Sequence, residues 1–297
     1  MIKVVTEKLG EKIMTSILKD INLSEESLWG MNRTIHFPKD LLFVALYKDL
    51  FNVGYCKLCD TIKEFLKMTP STLQHNVQVM RKRLRDWSEK IILPSEERVL
   101  RAISKGVHGP PPFDKVTLWM DSSDFRTSGK KSIRRKDPRW SYKCNSPGRR
   151  WLVVSDAHTK TQAVFGPYNP KDYDADIAID NREYLETNFE GQHAVADGHY
   201  TKCDRFFKKM KVFAPYAEQP EARRLKPKTI SKIRVALRDQ KKADFNKNLR
   251  RVRGRCEGPF GWQKEKFAAL NQPFAEDEEQ HDCLIRLSLA CHRIMKT

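Results

Sequence analysis

Residues 106–113, GVHGPPPF, hold two glycines and three consecutive prolines. Proline has no amide hydrogen to give to a helix or a sheet, and glycine favours neither. No regular element crosses such a stretch, so the chain has to be built in two parts. Before it, apolar residues recur at helical spacing. After it, they gather into short runs rich in β-branched and aromatic residues.

In the first part, Pro38 to Leu50 sets Leu41, Leu42, Ala45 and Leu46 on one face. Gly54 breaks that helix. Lys57 to Leu66 repeats the pattern with Leu58, Ile62, Phe65 and Leu66. Thr69 is placed to cap a third helix, Pro70 suits its first turn, and Leu73, Val77, Met80 and Leu84 follow at helical spacing. Two short helices, a tight connection and a polar third helix predict a helix-turn-helix over about residues 38–87, inside a helical domain of residues 1–108. Gln74 and His75 at the start of the third helix suit base edges, and Arg81, Lys82 and Arg83 farther along suit phosphates. An ordinary helical bundle with a charged face gives the same spacing.

Residues 109–113 form the linker, and the pattern beyond it reads as mixed α/β. Strands are expected at Lys115 to Met120, Arg150 to Ser155, Gln162 to Phe165, Gln192 to Ala196 and Lys211 to Phe213. Helices are expected at Asp176 to Asn188, across the basic region from about 215 to 250, and from about Gln280 to Met295.

Charge narrows the function. Lys and Arg number 56 against 38 Asp and Glu, a net of +18. Residues 121–150 carry +7 and residues 221–256 carry +11, which together account for all of it. Positive charge gathered into two stretches fits a polyanion, foremost nucleic acid, better than a merely solvated surface. Lys143, Arg149 and Arg150 in the first stretch are expected to line the path of DNA. No apolar run approaches the roughly 18 residues of a membrane helix, and the N-terminus MIKVVTEKLGEK is charged where a secretory signal is apolar. A soluble intracellular protein is expected, nuclear if eukaryotic and cytoplasmic otherwise. Seven cysteines include one C-x-x-C, Cys56 and Cys59, with no second pair for zinc; these read as core thiols.

Against this basic background, two apolar runs end in aspartate: VTLWM before Asp121 and QHAVA before Asp197. Ligands of α/β sheets gather at strand ends. If the two strands are neighbours, their carboxylates repel unless protonated or bridged by a cation. Their hard oxygens suit magnesium or manganese. Glu257 is the strongest third acid, the only one between Asp244 and Glu265. Alone, a glutamate among arginines reads more simply as a neutralising partner. Asp124 suits a turn and Asp156 a hairpin cap. Asp174 suits either a helix N-terminus or support for the site. His199 suits a DNA contact or a plain polar surface.

The order of these residues resembles the DDE transposases of the Harbinger and related insertion-sequence type. WMDSSDF stands at that family's first-aspartate strand, and FGPYNPKDYDADI at its G-P-x-x-G-S-x-H-D-x-x-I segment. VADGHY stands at its D-x-G-Y element. Arg253, Glu257, Phe260, Gly261 and Lys264 fill its R-x-x-x-E-x-x-F-G-x-x-K motif, and IRLSLACHRIM is similar to its closing helix. The likeness runs over about residues 38–297. It implies an RNase H-like mixed sheet with flanking helices over residues 114–297. It implies a metal-dependent DNA endonuclease and strand-transferase whose Asp121, Asp197 and Glu257 hold two magnesium or manganese ions. It further implies DNA contacts from Arg253 and Lys264, a Myb-like DNA-binding partner and a homodimer. A domesticated, catalytically inactive DNA-binding protein of the same fold is the alternative. This chain departs from the pattern at Ser122-Ser123 in place of Gly-Thr, at Tyr173 in place of His, and at Gly258-Pro259 beside Glu257. The 60 residues between Asp197 and Glu257 are many for the group, as a basic helical insertion at about 215–250 would explain.

Overall fold

The computed structural model describes residues 1–21, 38–64, 66–94, 111–128, 133–216, 230–254 and 258–296. Among these, five helices precede the linker: α1 (Ile2–Leu9), α2 (Glu11–Asp20), α3 (Pro38–Phe51), α4 (Tyr55–Ile62) and α5 (Pro70–Ile92). The start of α5 follows the sequence signal. The Thr69 hydroxyl accepts from the Thr72 amide at 3.2 Å, and Pro70 takes the first turn, where a missing N–H costs nothing. Leu73, Val77, Met80 and Leu84 are buried along one face. Helix α4 begins earlier than its apolar pattern suggests, directly after Gly54. Cys56 is exposed and is not a core thiol, while Cys59 is half-buried and packs against the core beside the inward face of Leu58 and Ile62. Phe65 lies outside the described residues, as do residues 109–110 of the linker.

After the linker come β1 (Val116–Arg126), β2 (Trp140–Ser141), β3 (Ser146–Asp156) and β4 (Thr161–Tyr168). Then follow α6 (Asp174–Asp180), α7 (Arg182–Asn188), β5 (His193–Val195), α8 (Cys203–Phe206) and β6 (Lys211–Phe213). The chain closes with α9 (Ile230–Arg253), α10 (Gly258–Lys266), α11 (Ala268–Asn271) and α12 (Glu278–Met295). The strands form one mixed sheet: β3 pairs antiparallel with β1, β2 and β4, while β1, β5 and β6 run parallel. The helix expected over Asp176 to Asn188 is two helices. Asn181 interrupts it, its side-chain amide donating to the Ile177 carbonyl and to Tyr168 Oη, both at 2.7 Å. That local bond competes with the helical ladder.

Both faces of the sheet are covered. Leu118, Met120, Leu152, Val154 and Ala163 point to α6, α7 and α8. Phe125, Trp151, Val153 and Val164 point the other way, into a core that runs from Val5 in α1 to Cys291 in α12. Helix α5 packs along α12, so the helical half and the sheet share this apolar interior.

Candidate active site

Asp121 is not at the end of its strand. The apolar run stops there, but the hydrogen-bond ladder does not: Ser122 to Arg126 pair with Leu152 to Gly148 of β3. Asp121 therefore sits mid-strand, opposite Val153. Asp197 stands where the sequence puts it, two residues past Val195 at the end of β5. The parallel register pairs Trp119 with Val195, and each aspartate lies two residues beyond its paired position. The pairing itself stops at Val195, and the Asp197 charge is felt at Asp121. The Asp197 carboxylate also caps the 3-10 turn Gly198–Tyr200, accepting from the His199 amide at 2.8 Å.

Asp121 shares its face of β1 with Trp119 and Phe125, and both are anchored from above. Trp119 Nε1 donates to the Val252 carbonyl in the last turn of α9 at 2.9 Å. Phe125 meets Phe260 of α10 with ring centroids 6.3 Å apart, and Lys264 Nζ lies 5.2 Å from the Phe125 centroid. Half-buried between these anchors, Asp121 has its pKa raised from 3.8 to about 6. Burial is the main cause; Lys143 and the Ser122 amide oppose it, Asp197 adds to it, and Arg253 opposes it. Arg253, the last residue of α9, is therefore close enough to be felt at Asp121, as is exposed Lys143.

Glu257 lies outside the described residues. Helix α9 ends at Arg253, and α10 is described over Gly258–Lys266, with Pro259 as its second described residue. Among the described residues, no three His, Cys, Asp or Glu side chains are grouped to hold a metal; Asp121 and Asp197 are a pair.

Several residues expected to contact DNA are committed elsewhere. Arg81 is fully buried and paired with Asp49 and Glu276. Lys82 pairs with Glu279 at 2.9 Å on the surface. Arg83 is half-buried, and Gln74 and His75 are exposed on the first turns of α5. Arg149 binds Asn169 and Glu278. Arg150 is an internal clamp: its guanidinium reaches Asp124 at 2.7 Å and Asp174 at 2.8 Å. Asp124 is accordingly a buried strand residue rather than a turn residue. Asp174 is buried beneath the site, in the first turn of α6, and accepts from Arg150. Asp156 caps the β3–β4 turn as expected, accepting from His158 and Lys160 amides. His199 is exposed beside Asp197.

Sequence reading missed one functional contact. Ser122 Oγ and Tyr200 Oη are 2.7 Å apart in the interior. Ser122 follows Asp121, and Tyr200 closes the turn that Asp197 caps. This bond ties the two aspartate-bearing segments together. The signal was Ser122 itself, a hydroxyl where the similar family has glycine. Tyr200→Phe should cost about 1 kcal/mol of stability. Through a looser pair, it should weaken apparent metal affinity roughly tenfold. Calorimetric manganese titration checks this, and an unchanged affinity would reduce the bond to mere packing.

Residues 112–290 match the family described as transposase DDE domain. No curated protein and no solved structure matches the chain.

Proposed function

This chain belongs to the transposase DDE-domain family, and on that premise we propose a metal-dependent DNA endonuclease and strand-transferase of RNase H-like fold. The observation that carries the reading is that Asp197, two residues past the end of β5, acts on the half-buried Asp121 of the adjacent parallel strand β1. Two hard carboxylates are the kind of donors that magnesium or manganese takes. When bound there, such ions neutralise phosphate oxygens and lower the pKa of an attacking water.

The protein's own part is positioning and electrostatics. Asp121 and Asp197 orient the ions, and the Ser122–Tyr200 bond holds their segments in register. Lys143 and Arg253, whose charges both act on Asp121, receive the phosphate and offset its charge. Lys264 extends that positive edge. Glu257 is the third ligand in this reading. Its support is that Val252 and Phe260, on either side of it in sequence, are anchored at Trp119 and Phe125, which bracket Asp121 on one face. Gln74 and His75, exposed at the start of α5, are the candidates for sequence preference. A Myb-like partner and a homodimer remain proposals that the family likeness supports.

Incubating supercoiled plasmid with the protein, in magnesium, manganese or EDTA, tests the function. Nicking in either metal and none in EDTA is expected. DNA binding without nicking in any metal would overturn the endonuclease reading. Glu257→Gln should lower nicking on the order of 10²-fold or more. A Glu257→Gln protein with full activity would remove Glu257 from the site.

A further inference from the structure

Two tyrosines stand out of the surface beside the aspartate pair. Tyr142 is 69% exposed and Tyr173 67%; no other large apolar side chain among the described residues exceeds 52%. Each carries a lysine ammonium near its ring: Lys171 Nζ lies 6.0 Å from the Tyr142 centroid, and Lys202 Nζ 5.5 Å from that of Tyr173.

The four residues form one rim. Lys171 reaches Tyr142 and is two residues from Tyr173, at most about 7 Å of backbone. Lys202 is two residues from Tyr200 and five from Asp197. On the other side, Tyr142 adjoins Lys143, whose ammonium donates to the Ser122 carbonyl at 3.2 Å. These contacts and short chain links connect the segment of Asp121 to the segment of Asp197.

Its parts are held in place. Arg150 donates to the Asp172 carbonyl at 2.9 Å, and the Asp172 carboxylate accepts from the Asn169 amide at 2.9 Å. These bonds fix the loop that presents Lys171 and Tyr173. Tyr142 Oη donates to the Arg135 carbonyl at 3.3 Å, which fixes the tilt of that ring.

An exposed aromatic ring beside an ammonium is suited to one kind of polymer. The ring offers a face to a base, and the ammonium offers charge to a phosphate. In a duplex, base faces are covered by their neighbours, and only the charge would be used. Resting on the endonuclease reading, we propose that Tyr142, Lys171, Tyr173 and Lys202 form a stacking platform for unpaired DNA nucleotides next to the scissile phosphate.

The test uses the full chain in EDTA, with fluorescence anisotropy of a labelled oligothymidylate and of a labelled duplex. Tyr142→Ala and Tyr173→Ala should each weaken single-strand binding roughly tenfold and leave duplex binding within twofold. Tyr142→Phe and Tyr173→Phe should restore it, since the ring and not the hydroxyl does the stacking. Single-strand binding untouched by both alanine substitutions overturns the platform, as does an equal loss on duplex. Plasmid nicking by the wild-type protein is measured in parallel. Nicking with tyrosine-independent single-strand binding overturns the platform alone. Tyrosine-dependent single-strand binding without nicking upholds the platform and overturns the endonuclease reading.

Discussion

Asp121→Asn and Asp197→Asn should each reduce metal-dependent DNA cleavage by on the order of 10³-fold, and neither should unfold the protein. The two effects separate because the Asp121 carboxylate is a burden to the metal-free fold. Its pKa rises from 3.8 to about 6 on folding, chiefly by burial, with the Asp197 charge adding to it against Lys143 and Arg253. Between those values the folded state keeps a proton that the unfolded chain has released. Stability therefore falls as pH rises through that window, and the full penalty is present above it. Two pKa units correspond to about 3 kcal/mol, and partial exposure brings the expectation to about 1–3 kcal/mol. Asp121→Asn should thus be more stable than wild type at pH 7.5 in EDTA, and no more stable at pH 3.5. Thermal unfolding at both pH values measures this. Asp197→Asn keeps a side-chain oxygen for the His199 amide, so the 3-10 turn survives. Near wild-type cleavage by either variant would exclude that residue from the chemistry. A lower melting point for Asp121→Asn at pH 7.5 would show that the carboxylate is structural.

The contrast between Asp121 and Arg150 shows what the sequence makes legible. Asp121 stands out in the sequence because an acid after VTLWM interrupts a hydrophobic run, and because its order with Asp197 and Glu257 is a pattern in one dimension. Whether β1 and β5 are neighbours stays open in the sequence, and the fold pairs them in parallel. The length of β1 is not legible there either: Ser122 to Arg126 become a strand through their partners on β3, and pairing partners are a property of the folded chain. Arg150 belongs to the same basic stretch as Lys143. Composition treats the two alike, yet one guanidinium is clamped between Asp124 and Asp174 while the other cation is exposed at the site. Burial separates them, and burial here depends on α6 packing from about 25 residues downstream. The Ser122–Tyr200 bond has the same origin. Each residue is unremarkable in sequence, and their meeting is set by the pairing of β1 with β5. The start of α5 was legible for a different reason: Thr69 and Pro70 act on their immediate neighbours.

Arg81 is the residue whose expected role changes most, and its substitution should have the largest effect on stability. Helical spacing puts it among Lys82 and Arg83 on a DNA-facing surface. In the fold it is 0% exposed. Its guanidinium donates to both oxygens of Asp49 in α3 and pairs with Glu276, just before α12, at 2.8 Å. Glu276 also accepts from Tyr55 Oη at 3.0 Å and Gln78 Nε2 at 3.3 Å, and pairs with Lys48 at 3.3 Å. Two cations thus balance two anions inside the joint between the helical half and the sheet. Replacing both members of such a pair with apolar groups can be neutral, but removing one leaves a buried charge uncompensated, at about 3–5 kcal/mol. Arg81→Met should therefore lower the melting point by roughly 5–15 °C. Arg81→Lys should recover only part of that, since one ammonium cannot fork to two carboxylates. Acid should loosen the same joint. Burial alone would raise the Glu276 pKa, but Arg81 and Lys48 hold it below the ordinary 4.5. Its stabilising share is present above that value and is lost as pH falls through the lower folded value. The decisive comparison is between stability and DNA affinity. Arg81→Met should leave the affinity of the protein that remains folded unchanged below its melting point, measured by anisotropy with duplex DNA. A melting point within 2 °C of wild type with tenfold weaker DNA binding would return Arg81 to the DNA-facing surface.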